Sequence, residues 1–86
     1  MAYNIAYKKS VLRDLKKLPK AEASHILSQI EEELAKNAES YPALKGKFAG
    51  LRKYRVGDYR VIYAILKDEV VVLRIGHRRE VYKKDI

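Results

Sequence analysis

Cysteine is absent from the 86-residue chain, and histidine occurs twice. The first absence excludes disulfides, thiolate metal sites and cysteine nucleophiles, and it suits a reducing compartment. Two imidazoles, His25 and His77, are too few for a convincing metal site. There is no helical HExxH, no glycine-rich phosphate loop before a helix, and no pair of carboxylates placed for acid–base work. A hydrolase built on a metal or on a Ser/His/Asp triad is therefore poorly supported. No apolar run approaches the roughly 20 residues needed to span a bilayer. The start, Met1-Ala2-Tyr3-Asn4-Ile5-Ala6-Tyr7, has no charged leader followed by an apolar stretch, so no secretory signal is expected. The expectations are a cytoplasmic protein without membrane contact, cofactor or metal. Repeats and low-complexity stretches are missing too, and a chain this short makes one domain, 1–86, with a modest core.

What is present is positive charge, unevenly placed. Nineteen Lys and Arg against 11 Asp and Glu leave a net charge of +8. From Lys45 to Ile86 there are 12 basic against 5 acidic residues; from Met1 to Leu44 the count is 7 against 6. Nearly all the excess thus sits in the second half. There, basic residues alternate with apolar ones and collect in Gly76-His77-Arg78-Arg79-Glu80-Val81-Tyr82. A sheet presenting Arg, Lys, His and Tyr together suits a polyanion, RNA first of all. A merely solubilising basic face is the alternative.

Periodicity orders the chain as β-α-α-β-β-β, an α+β domain with an N-terminal helix hairpin packed on a small, mainly antiparallel sheet. Tyr3 to Tyr7 has a period of two and reads as a strand. Val11, Leu12, Leu15 and Leu18 then follow helical spacing, with Lys9, Arg13, Lys16 and Lys17 outside. Pro19 ends this helix. A second is expected from Lys20 to Lys36, with Ala23, Ile26, Leu27, Ile30 and Leu34 inward. Asn37 to Gly50 reads as a connecting loop anchored by Leu44 and Phe48. Strands are expected over Leu51–Val56, Tyr59–Leu66 and Glu69–Ile75, with turns at Gly57-Asp58 and Lys67-Asp68. Val70-Val71-Val72-Leu73 is apolar on both faces, which places the last strand centrally.

Alternation decides which groups can act together. Lys53 and Arg55 share one face of their strand, and Arg60 joins them across the short Gly57-Asp58 turn. The segment after Ile75 is expected to leave the sheet and bring His77, Arg78 and Tyr82 beside them. Such a set can bind a phosphodiester, neutralise charge on its non-bridging oxygens and stack on a base. With RNA, the 2′-hydroxyl supplies the nucleophile, and cleavage without a metal needs only alignment, charge stabilisation, a proton acceptor and a proton donor. Composition does not separate such a ribonuclease from a plain nucleic-acid-binding module.

The run Gly50-Leu51-Arg52-Lys53-Tyr54-Arg55-Val56-Gly57-Asp58-Tyr59-Arg60-Val61-Ile62-Tyr63 resembles the core motif of the RelE/ParE toxin superfamily. Ile75-Gly76-His77-Arg78-Arg79-Glu80-Val81-Tyr82 resembles that family's ending, in the same order and at the same separation. The resemblance covers essentially the whole chain. It implies the toxin of a type II toxin–antitoxin pair. RelE-type members enter the ribosomal A site and cut mRNA through its 2′-hydroxyl, leaving a 2′,3′-cyclic phosphate and a 5′-hydroxyl. Implied partners are the ribosome, mRNA and a RelB-like antitoxin, with operator DNA bound only through the toxin–antitoxin complex. ParE-like relatives share the fold, poison DNA gyrase and commonly lack the full Arg/Lys/Tyr set.

Position by position, the residues that carry activity in the family match Lys53, Arg55, Arg60, Arg78 and Tyr82. Arg60 and Arg78 suit the scissile phosphate, because a planar fork of donors grips its oxygens. Tyr82 is suited to stacking on a base or orienting the 2′-hydroxyl, and Lys53 to the backbone or the developing charge. Arg55 departs from relatives that have a proton-accepting Lys; an Arg, with a pKa above about 12, is a poor acceptor. That leaves His77 either for proton transfer or for binding phosphate and packing. Arg52, Arg74 and Arg79 are candidate RNA contacts, with Arg74 equally an outward strand residue. Tyr59 and Tyr63, on the face opposite Arg60, read as core. His25 reads as a surface histidine, and Lys8, Lys9, Arg13, Lys16, Lys17 and Lys20 as a solvated helix face or a contact to ribosomal RNA.

Overall fold

The structure, a computed structural model, describes residues 3–46 and 49–77. Phe48, Arg78, Arg79 and Tyr82 therefore lie outside the described residues. Strand β1 (Asn4–Tyr7) leads into helices α1 (Lys9–Lys16) and α2 (Lys20–Gln29), and β2 (Arg52–Val56), β3 (Tyr59–Leu66) and β4 (Glu69–His77) follow. The sheet order is β1-β4-β3-β2. The helices thus carry the chain from one edge of the sheet to the other. β1 runs parallel to β4, while β2–β3 and β3–β4 are antiparallel. This is the α+β arrangement expected, with β4 paired on both sides. The turn between β2 and β3 holds Gly57 at φ 59°, in the left-handed region that favours glycine. No helix among the described residues is long and apolar enough to cross a membrane.

Helix residues Val11, Ile26, Ile30, Leu34 and Ala38 pack against Tyr54, Val56, Val61, Tyr63, Val70, Val72 and Ile75 of the sheet. Ile26, Ile30, Leu34 and Ala38 repeat every fourth residue. In a regular α-helix that repeat drifts around the axis by roughly 40° per step. The chain corrects the drift with a wider π turn over Ile30–Leu34, followed by a short α turn, Ala35–Asn37, and a 3-10 turn, Ala38–Ser40. Tyr63 is fully buried, and its hydroxyl donates to the Ala38 carbonyl at 2.6 Å. That bond fixes the end of the helical segment to the middle of the sheet.

Two expectations about α1 and β4 are corrected. Leu12 was expected on the inner face of α1 but is 57% exposed, and Asp14 is buried in its place. The cause is the edge of β4. β1 covers that edge only as far as Val72. Beyond it, α1 supplies the missing polar partners. The Lys8 amide donates to the Val72 carbonyl at 3.0 Å, and the Ser10 hydroxyl donates to the Leu73 carbonyl at 2.6 Å. The Ile75 amide donates to Asp14 Oδ2 at 3.0 Å. A leucine in this position would leave that amide unpaired. The second correction is length: β4 continues to His77, with Tyr59 opposite His77 and Arg60 opposite Gly76. The chain has not left the sheet after Ile75. A register shift at Ile62/Tyr63 lets β4 keep Val70, Val72 and Ile75 all inward.

Candidate nucleic-acid interface

β2 and β3 form a short hairpin in which Arg55 pairs with Arg60 and Lys53 with Ile62. Paired residues share a face, so Lys53, Arg55 and Arg60 stand together, as the alternation predicted. They line one pocket of about 300 Å³, with Tyr41, Pro42 and Tyr54 as its other walls. Among the described residues, no carboxylate lines it. Arg55 is exposed, and its Nε donates to the Gly57 carbonyl at 2.8 Å, which directs the side chain back over the turn. Lys53 and Arg60 are half-buried. Across the sheet from Arg60 lies Gly76, with no side chain to compete for space. The face is not open throughout, because Ile62, beside Arg60, is fully buried.

The remaining sequence candidates fall elsewhere. His77 lies opposite Tyr59, on the helix side of the sheet, with the two rings edge-on at 6.1 Å. It lines a different pocket, of about 410 Å³, together with Glu22, His25, Asp58 and Tyr59. Burial and the neighbouring Glu22 push the Tyr59 phenol up. With two carboxylates in its lining, this pocket repels a phosphate. The expected juxtaposition of His77 with Lys53, Arg55 and Arg60 is therefore not met; β4 stays in the sheet long enough to turn His77 inward. Tyr63, as expected, is core.

Arg52 and Arg74 are engaged with the protein itself. Arg52 donates from Nη1 to the Tyr41 carbonyl at 2.7 Å and, more weakly, to the Glu39 carbonyl at 3.3 Å. Arg74 grips Asp14 with both arms of its fork, Nε to Oδ2 and Nη2 to Oδ1, each at 2.9 Å. That contact raises the Arg74 guanidinium further above its ordinary value. Arg78, Arg79 and Tyr82 lie outside the described residues.

Sequence reading missed Tyr41 and Pro42. The sequence over 37–50 reads as a connecting loop, yet part of it runs beside β2 almost as another strand. Ala43 bridges Arg52, the Leu44 amide donates to the Leu51 carbonyl at 2.8 Å, and the Lys53 amide donates to the Pro42 carbonyl at 3.3 Å. The Tyr-Pro dipeptide was the available signal, because the residue before a proline is held extended; Tyr41 sits at φ −94°, ψ 151°. Its ring leans on Tyr54 at 4.8 Å between centroids, tilted by 56°. Burial, then a hydrogen bond to Glu33, pushes its phenol up to about 12.

Tyr63, Tyr54, Tyr7 and Tyr59 are shifted the same way, each chiefly by burial. The folded protein therefore holds these protons more tightly than the unfolded chain. The tyrosine contribution to stability should be constant below about pH 10, the ordinary tyrosine value, and should be lost as the pH rises towards the Tyr41 value of about 12. Urea midpoints from pH 8 upward, read with tyrosinate absorbance, check this. Tyrosinate appearing near pH 10 in a fully folded protein would contradict it.

Comparison with known proteins places this geometry. The family model for ParE toxins of type II toxin–antitoxin systems matches residues 5–82. The chain belongs to the RelE/ParE toxin family. It is 30% identical to the RelE1 toxin of Methanocaldococcus jannaschii, over 96% of this chain and 98% of that one. Among solved structures, it is similar to a chain of the RelBE2 toxin–antitoxin complex of Mycobacterium tuberculosis. The TM-score there is 0.86 at 28% identity, covering 93% of this chain and 95% of that one. It shares its fold with the E. coli toxin RelE (TM-score 0.76, 20% identity, 96% and 90% covered). It also shares it with a chain of the chromosomal ParDE system of P. aeruginosa (TM-score 0.73, 14% identity, 88% and 96% covered). The protein is thus the toxin of a type II toxin–antitoxin system. Both branches of the family, RelE and ParE, are among its structural relatives.

Proposed function

We propose that this toxin is an endoribonuclease that cuts mRNA in the ribosomal A site. The observation that carries this reading is the pocket in which Lys53, Arg55 and Arg60 meet. A phosphodiester seated there meets donors on its non-bridging oxygens. The 2′-oxygen attacks phosphorus, the bond to the 5′-oxygen breaks, and a 2′,3′-cyclic phosphate and a 5′-hydroxyl result. The 2′-hydroxyl proton leaves to an acceptor, and the 5′-oxygen gains a proton from a donor. Arg60 is assigned to the charge that grows on phosphorus-bound oxygen, Lys53 to the same charge from the strand beside it, and Arg55 to the backbone. Arg78 and Tyr82, from the family resemblance, complete the set. The inward position of His77 favours cleavage driven by alignment and charge stabilisation, with proton transfer left to water or the remaining site groups. A cytoplasmic location, a RelB-like antitoxin and operator binding through the toxin–antitoxin complex belong to the same reading.

The matching family model is the ParE one, which favours a second reading, a toxin that poisons DNA gyrase without cutting RNA. Primer extension on a defined mRNA, with and without programmed ribosomes, separates the two. The expected result is a new 5′ end within the A-site codon, dependent on the ribosome. Growth arrest with intact mRNA and stabilised gyrase–DNA cleavage complexes would transfer the assignment to the second reading.

A further inference from the structure

We propose that Tyr41 and Pro42 form the wall of a nucleobase subsite, so that one base of the bound RNA stacks on Tyr41 while its phosphate lies against Arg55 and Arg60. This rests on the ribonuclease reading above and deepens it. The pocket is of two halves. One is cationic, from Lys53, Arg55 and Arg60; the other is apolar, from Tyr41, Pro42 and Tyr54. A peptide carboxylate or a bare phosphate needs only the first half. A nucleotide uses both, because its base offers a π-face and its phosphate a charge.

The apolar wall is also held in place, which distinguishes it from a loop that happens to lie nearby. Four contacts converge on it, three from β2 and one from the helical segment. The Tyr41 hydroxyl is hydrogen-bonded to Glu33, its ring rests on Tyr54, and its carbonyl is gripped by Arg52. The Pro42 carbonyl accepts from the Lys53 amide, so the wall is tied to the strand that carries the cation. A side chain locked in this way has little motion left to lose when a base arrives. Tyr41 stays half-buried and Pro42 exposed, so a face remains accessible. Arg52, a candidate RNA contact in the sequence, becomes a positioning residue for that wall.

The test is an abasic scan. A short single-stranded RNA, 2′-O-methylated to block cleavage, is prepared with each base removed in turn, and its affinity is measured for the full-length toxin. The same replacements are made in mRNA on programmed ribosomes, where the cleavage rate is read. One position should lose roughly tenfold when its base is removed, the scale of a single base–aromatic stack. Tyr41→Leu should lose a similar factor on intact RNA and show less than about twofold further loss at that position. Tyr41→Phe keeps the ring and should keep the base dependence at that position. Tyr41→Leu also removes packing on Tyr54, so Glu33→Gln serves as a second variant: it loosens the anchor, keeps the ring and should keep the base dependence. A flat scan, or the same base dependence in Tyr41→Leu, would overturn the subsite while leaving cleavage intact. Uniform losses with full competition by heparin would mean a purely electrostatic groove, and would overturn it too. A wild-type toxin that neither binds nor cuts RNA in either format would remove the subsite together with the ribonuclease reading.

Discussion

Arg60→Ala is expected to slow RNA cleavage at saturating substrate by at least about a hundredfold, the scale of losing one preorganised oxyanion-type donor. Arg60 sits at the start of β3, opposite Arg55 and beside Gly76, in the wall of the pocket that also holds Lys53. The backbone there is tied on both sides, so the guanidinium is carried by a strand rather than by a loop. The loss should appear mainly in the rate and less in affinity, because Lys53 and Arg55 still attract the phosphate. Arg60→Lys should recover part of the rate, since it restores the charge without the planar fork. Arg78→Ala is expected to lose a similar factor on the strength of the family resemblance. His77→Gln is the internal control: from the helix side of the sheet it should stay within a few-fold of wild type and keep the pH–rate profile. Single-turnover rates for Arg60→Ala within a few-fold of wild type would remove Arg60 from the reacting set. A neutral-pH limb lost in His77→Gln would return the imidazole to it.

The second large effect is on stability. Asp14→Ala should cost about 3–5 kcal/mol, the usual penalty for removing one partner of a buried ion pair. Asp14 is 6% exposed, and its carboxylate accepts from both arms of Arg74 and from the Ile75 amide. Its removal strands a half-buried guanidinium and an edge amide together. Small domains are stable by only about 5–15 kcal/mol in all, so much of the fold's margin is at stake. At roughly 4–8 °C per kcal/mol for a chain of this size, the melting temperature should fall by more than about 10 °C. Arg74→Ala should cost less, because Asp14 keeps the Ile75 amide. The double variant should cost less than the two singles added, which a double-mutant cycle measures. A melting temperature for Asp14→Ala within a few degrees of wild type would show that solvent, not Arg74, satisfies this edge.

Much of the fold was readable residue by residue. The period of two at the N-terminus, the helical spacing up to Pro19 and the turns at Gly57-Asp58 and Lys67-Asp68 were all local signals, and all correspond to observed elements. Local signals fail where a residue answers to a distant partner. Leu12 has the spacing of a core residue but is exposed, while Asp14 is buried because the Ile75 amide at the edge of β4 needs an acceptor. Arg52 and Arg74 look like free cations in the sequence, yet their acceptors are at Tyr41 and Asp14.

Lys53, Arg55 and Arg60 were grouped correctly in advance because a two-residue turn and a strict alternation leave strand partners no choice of face. The hairpin and its cationic face were thus written in the sequence. The neighbours of that face were not. Whether His77 joined it depended on how far β4 ran before leaving the sheet. A single step of alternation, coupled to the register shift opposite Ile62/Tyr63, sent the imidazole to the helix side. Whether the cations had an aromatic neighbour depended on where the segment after α2 lay. Arg52 and Tyr54 of β2 and Glu33 of the helical segment pin Tyr41 there. Short-range periodicity can say which side chains share a strand face. Which residues from elsewhere in the chain close the pocket around them is settled by packing and by the pairing of polar groups, and those exist only once the chain has folded.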